Sequence, residues 1–113
     1  LGVVGSVAAY TEGDAWLAAL VARLDHQRTL LGELLAEHLP EARMRPLEAT
    51  YLAWLDLRAY GHDDPAAELL TGGVRVSAGQ GYWPGLTGHV RLNIATSPDR
   101  LTEIVRRMAK TLS

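Results

Sequence analysis

The stretch HVRLNIATSP, residues 89 to 98, decides how the rest of the chain is read. Val90, Leu92 and Ile94 alternate with His89, Arg91 and Asn93, which is the period of a strand with one apolar and one polar face. Ser97 and Pro98 then supply the N-cap and first position of a helix. Arg91 stands at the centre of the polar face. A guanidinium there is held by the sheet on either side. It offers a planar fork of donors that matches a carboxylate. Arg91 is therefore a candidate clamp for an acidic small molecule. The competing reading is a polar residue on an open sheet face that is merely solvated or salt-bridged.

Downstream, Leu101, Ile104, Val105, Met108 and Leu112 form the buried stripe of a final helix. Upstream, residues 78 to 88 are a loop with four of the chain's eleven glycines and Pro84, preceded by a short strand, VRVS, at 74 to 77. Asp64 and Pro65 stand as N-cap and N1 of a short helix stopped by Gly72 and Gly73. TYLAWLDLR, 50 to 58, reads as a strand from its β-branched and aromatic start. Its apolar character on both faces predicts a central place in the sheet. Residues 40 to 48 form a polar connection. Before them, Leu17, Leu20, Val21, Leu24, Leu31, Leu35 and Leu39 recur at helical spacing as far as Pro40, with Gln27 and Arg28 interrupting the stripe. TEGD, 11 to 14, breaks this helix from the run LGVVGSVAAY, 1 to 10, with Thr11 and Asp14 at the spacing of a capping box. The expected class is α+β: a small sheet of about three strands, mainly antiparallel, covered by helices on one face. The other face, with Arg91 and Asn93, is free for a ligand or partner.

A chain of 113 residues suits one domain. Its net charge of −2 is spread without blocks, which argues against a nucleic-acid surface or a polybasic membrane patch. The lack of cysteine excludes disulfides and thiolate chemistry. The four histidines, at 26, 38, 62 and 89, show no HxxxH or HxH spacing, so no metal set is expected. No apolar run has transmembrane length and no basic n-region precedes one. A cytoplasmic location is the expectation. The chain opens at Leu1 in mid-pattern, and residues 1 to 10 look like the tail of a helix, so a piece of a larger protein is expected.

Trp16 and Trp54 are expected in the core or at a domain interface, and Trp83 in packing or at a pocket mouth. Asp56 with Arg58 should end a strand with solvated charge. Nothing in the spacing selects His89. The single lysine, Lys110, lies nine residues past Leu101, opposite the buried stripe of its helix. No strand, glycine-rich loop and helix arrangement of the kind that cradles phosphate is visible.

Three segments, AAYTEGDAWL (8 to 17), TYLAWLDLR (50 to 58) and AGQGYW…GHVRLNIATSP (78 to 98), are together similar to the C-terminal small domain of fold type I pyridoxal-phosphate enzymes. This is the aspartate-aminotransferase-like fold of the aminotransferase class I/II superfamily. The nearest likeness is to the MalY/PatB group of cystathionine β-lyases. The resemblance runs nearly end to end, and its specific parts are the TYLAWLD string and the glycine loop ending in RLN. It implies that Arg91 grips the α-carboxylate of an amino-acid substrate, and that Thr50 and Tyr51 approach the substrate side. It also implies pyridoxal phosphate as cofactor of the intact protein, held by a lysine and phosphate-binding residues upstream of Leu1. None of these lies in this chain, so the chain alone is expected to be inactive. A homodimeric parent is implied, with residues 1 to 10 bridging to the cofactor domain. The sequence departs from the family at Ala78 in place of proline, Trp83 in place of glycine and His89 in place of an aromatic residue. Three functions stay open: a C–S lyase that removes the α-proton and eliminates a β-substituent, an aminotransferase, or a stand-alone α+β module that binds a carboxylate.

Overall fold

The computed structural model describes residues 1–113. Four helices, α1 (Gly2–Glu12), α2 (Asp14–His38), α3 (Pro65–Thr71) and α4 (Pro98–Leu112), surround three strands, β1 (Leu52–Asp56), β2 (Ser77–Ala78) and β3 (His89–Asn93). Single 3-10 turns lie at Arg58–Tyr60, Gly79–Gly81 and Pro84–Leu86. The sheet has the order β1-β3-β2 and is antiparallel throughout.

The alternation in β3 sets the layers. Val90 and Leu92, with Ala53 and Leu55 of β1, are buried on one face. They meet Leu31, Leu34 and Leu35 of α2, Leu69 of α3, and Leu101, Val105 and Met108 of α4. Each aliphatic side chain removed from water there contributes about 1.5–3 kcal/mol. Helix α4 forms as the sequence predicts: Ser97 accepts from the Arg100 amide (3.2 Å), Pro98 opens the first turn, and the stripe faces the core. Asp64 caps α3 in the same way through the Ala67 amide. The helices therefore cover one face of the sheet and leave the other open, as the α+β reading expects.

Five expectations are corrected or narrowed. TYLAWLDLR contributes an edge strand, not a central one: β1 pairs with β3 alone, and its outer edge makes only an isolated bridge between Asp56 and Arg43. Its apolar residues on both faces misled because Trp54 lies on the open face, covered by a loop rather than by a second layer. VRVS does not form a ladder. The Val74 amide instead donates to Leu69 O (2.9 Å), closing the end of α3, and only Ser77 and Ala78 pair. Thr11 caps nothing: its hydroxyl donates back to Val7 O (2.7 Å) within α1. The break between α1 and α2 is Gly13, where a Cβ would stand 2.4 Å from Ala9 O. Of the two places expected for Trp16 and Trp54, the core is excluded, Trp16 being 69% and Trp54 37% exposed, and the domain interface is the one left.

The fifth concerns Gln27. Far from interrupting the stripe at the surface, it is fully buried. Its Nε2 donates to Ile94 O (3.2 Å) and Thr96 O (2.8 Å), the two carbonyls in the turn between β3 and α4. Ile94 O also accepts from the Thr96 amide (2.8 Å), whereas Thr96 O is supplied by the Gln27 side chain. Gln27→Leu should cost about 1 kcal/mol, because Thr96 O loses its partner while Ile94 O keeps the Thr96 amide and the unpartnered Gln27 Oε1 leaves the core. Urea unfolding will show this as a lower midpoint at unchanged slope.

Candidate functional site

The open face of the sheet is built from three rows of paired residues. Leu52 lies opposite Asn93, Trp54 opposite Arg91, and Asp56 opposite His89. Ser77 extends the middle row from the other side, so Arg91 sits where all three strands meet on this face. Its main chain is fixed on both edges, and its side chain stands on the polar side of β3.

Arg91 makes no ion pair within the chain. The five that exist involve Arg28, His38, Arg58, His89 and Arg107. Its guanidinium carbon instead lies 5.0 Å from the centroid of the Tyr82 ring. Tyr82 in turn packs edge-to-face on Trp54, with centroids 5.2 Å apart at 85°. An aromatic neighbour attracts the cation without consuming its in-plane donors. Tyr82 reaches this place on the loop after β2, which passes close to the end of β3. A Cβ on Gly79 would be 2.5 Å from Leu86 O and 2.9 Å from His89 O. Sequence reasoning left Tyr82 without a role. Nothing local marks it, since its contacts depend on how the loop folds back over Trp54.

An open groove of about 420 Å³ lies beside Arg91, lined also by Leu52, Arg75, Val76, Ser77 and Asn93. The other two sequence candidates are placed at the same end of the sheet but outside this groove. Thr50 has a positive φ of 67°, which is strained for a β-branched residue, and its hydroxyl accepts from the Leu52 amide (3.3 Å). It borders a separate cleft with Val21, Leu24 and Arg28 of α2. Tyr51 is half exposed, and its carbonyl accepts from the Ile94 amide (2.9 Å).

The far row carries a charge cluster in which Arg58 is solvated, its side chain 67% exposed, and Asp56 is partly covered, at 18%. Asp56 accepts from Arg58 Nε (3.0 Å), Arg58 Nη2 (2.8 Å) and the Arg58 amide (3.1 Å). His89 Nδ1 donates to Thr87 O (3.2 Å), and its Nε2 lies 3.8 Å from the Asp56 carboxylate. The Arg58 side-chain hydrogen bonds lower the Asp56 pKa from 3.8 to about 2, against the opposing effect of burial. Asp56, His89 and Trp54 border a larger cavity of about 760 Å³, with the segment from Ala42 to Leu47 as its other wall.

A depressed carboxyl pKa means that the charge contributes stability at pH above 3.8, and that this contribution is lost as pH falls through about 2. Arg58→Ala should return the Asp56 titration towards the ordinary carboxylate range, so that the mutant lacks the charge's contribution at neutral pH and loses less stability than the parent as pH falls from 3.8 to about 2. Carboxyl-carbon NMR titration of Asp56 in the two proteins checks the first, and acid unfolding the second.

Comparison with known proteins gives this geometry a family. The model of aminotransferase class I and II matches residues 3–108. A relative from Mycobacterium tuberculosis is 43% identical over 99% of this chain, which spans 32% of that protein. Cystathionine beta-lyase PatB of Bacillus subtilis is 35% identical over 94% of the chain and 28% of its own length. The chain thus spans about a third of these relatives. Among solved structures, the PLP-bound C-S lyase of Staphylococcus hominis superposes with a TM-score of 0.86 at 31% identity, over 93% of this chain and 29% of that one. A match across nearly the whole chain, joined to this degree of identity and a shared fold, is more than the amphipathic helices alone could produce. The chain belongs to the aminotransferase class I and II family.

Proposed function

We propose that this chain is the substrate-carboxylate-binding, C-terminal small domain of a longer pyridoxal-phosphate-dependent C–S lyase that acts on amino acids. The observation that carries the reading is Arg91: pinned by strands on both sides, steadied by Tyr82, and without a carboxylate of its own. Its fork can hold an α-carboxylate bidentately, which fixes the orientation of the amino acid as well as its position. The lyase reading is favoured over an aminotransferase by the relatives. Identity to PatB is 35%, whereas the aspartate aminotransferase of Thermus thermophilus superposes with a TM-score of 0.81 at 25% identity.

The residues of this chain do not fit the cofactor itself. Pyridoxal phosphate is held as a Schiff base on a lysine. Lys110 is exposed in the last turn of α4, a helix that packs on the covered face of the sheet, away from Arg91. We therefore assign the cofactor to another part of the longer protein, and this domain to recognition. No helix of the chain is long and apolar enough to cross a membrane. We place the enzyme, as a homodimer, in the cytoplasm, where amino acids are available as substrates.

In the same reading, α1 and the first half of α2 form the bridge to the cofactor domain. Helix α1 buries none of its residues, and Val3, Val4, Val7, Tyr10, Trp16 and Leu17 are all exposed. A continuous apolar face of this kind is rarely left open on a monomer.

Two outcomes are expected. In the longer enzyme, Arg91→Ala should lower kcat/KM for amino acids by the equivalent of roughly 2–4 kcal/mol, and Arg91→Lys should recover little of it, because a point charge lacks the fork. Steady-state kinetics on the three proteins decides this, and a near-unchanged alanine variant would rule the clamp out. The 113-residue chain alone should self-associate through α1. Sedimentation should depend on concentration for the whole chain and not for a chain beginning at Thr11. A monomer with residues 1 to 10 protected from hydrogen exchange would assign the segment to this domain's own core.

A further inference from the structure

Arg91 has a counter-ion within reach on its own face of the sheet, and the chain keeps that counter-ion occupied. Asp56 is the one carboxylate carried by the three strands. Arg91 stands opposite Trp54, and Asp56 opposite His89, so Asp56 is the diagonal neighbour of Arg91. Diagonal neighbours on one face lie about 7–8 Å apart, within reach of a long side chain. Yet the two form no ion pair. Both oxygens of Asp56 are engaged by Arg58, Oδ1 by Nε (3.0 Å) and the amide (3.1 Å), Oδ2 by Nη2 (2.8 Å). His89 Nε2, at 3.8 Å, is beyond hydrogen-bond distance. The stem of Arg58 is also given room. It passes over Gly88, where a Cβ would be 2.5 Å from Arg58 Cγ.

One carboxylate is satisfied by one guanidinium fork. We propose that Arg58 is a positioning residue for Arg91: by occupying Asp56 it denies Arg91 an internal partner, and the clamp stays open for a carboxylate from outside the chain. Arg58 does not line the groove beside Arg91, so its action runs through Asp56. Tyr82 plays the complementary part, drawing the guanidinium to its ring face at 5.0 Å while leaving the in-plane donors free. The inference rests on the carboxylate-clamp reading of Arg91 and adds to it the device that prevents self-neutralisation. Without Arg58, Asp56 turns to Arg91, and an incoming acid must displace it.

The test titrates the 113-residue chain with butyrate, following the Arg91 Nε–H signal by NMR. Four proteins are compared with the unaltered chain: Arg58→Ala, Asp56→Asn, the two combined, and Arg91→Ala. Circular dichroism verifies their folds, and the asparagine keeps an acceptor for the Arg58 amide. Arg58→Ala should bind butyrate up to about fivefold more weakly, the limit set by one exposed ion pair. Asp56→Asn should bind it as the unaltered chain does, and so should the double variant. A merely structural Arg58–Asp56 pair predicts the opposite, since Asp56→Asn breaks it too. In the Arg58→Ala chain, adding Arg91→Ala should move the Asp56 carboxyl titration further towards the ordinary range, because Arg91 had taken the carboxylate. Unchanged affinity in Arg58→Ala, or a weakening that the double variant retains, overturns the inference and leaves the clamp standing. Butyrate shifts in β2 and β3 that survive Arg91→Ala overturn the clamp, and absence of binding by the unaltered chain overturns both.

Discussion

Strand β3 gives its main chain to β1 on one side and β2 on the other, and everything else is arranged around that. Because side chains alternate with period two, the burial of Val90 and Leu92 dictates where Arg91 must point. A slip of one residue would drive the guanidinium into the core and expose two aliphatic side chains, so the register is held by the apolar face. The position of the functional group is therefore enforced by residues that never touch a ligand. The helices complete the enforcement by covering the opposite face.

Much of this was legible in the sequence because it follows from local rules. Alternation located β3, Ser97 with Pro98 and Asp64 with Pro65 located two helix starts, and the 3.6 period located the buried stripe of α4. What was not legible depends on tertiary partners. The edge position of β1 follows from how loops cover Trp54, which no period records. The burial of Gln27 depends on carbonyls near residue 95, far along the chain. Arg91 could be named from the sequence, but its partner Tyr82 could not. Tyr82 meets it only after the segment from 74 to 88 has folded back across the sheet.

The open face divides into two electrostatic regions. Around Asp56 and His89, charges are matched within the chain, and the carboxyl is held ionised by its own arginine. Around Arg91 they are not matched, and the donors there have no acceptors. A self-neutralised cluster stabilises structure, while an unmatched one attracts what is missing. The two are only one sheet row apart, which is why the residue types alone, an arginine beside a histidine, did not separate them.

The hydrogen bonds of Gln27 make α2 a lever. The helix buries no residue before this point, and the part from Asp14 to His26 extends for about 20 Å at the usual rise per residue. Gln27 is its fulcrum, bonded to the turn that ends β3. The base of the arm and the turn that follows the strand of Arg91 thus share one buried fastening, although 67 and 69 residues separate its two sides in the chain.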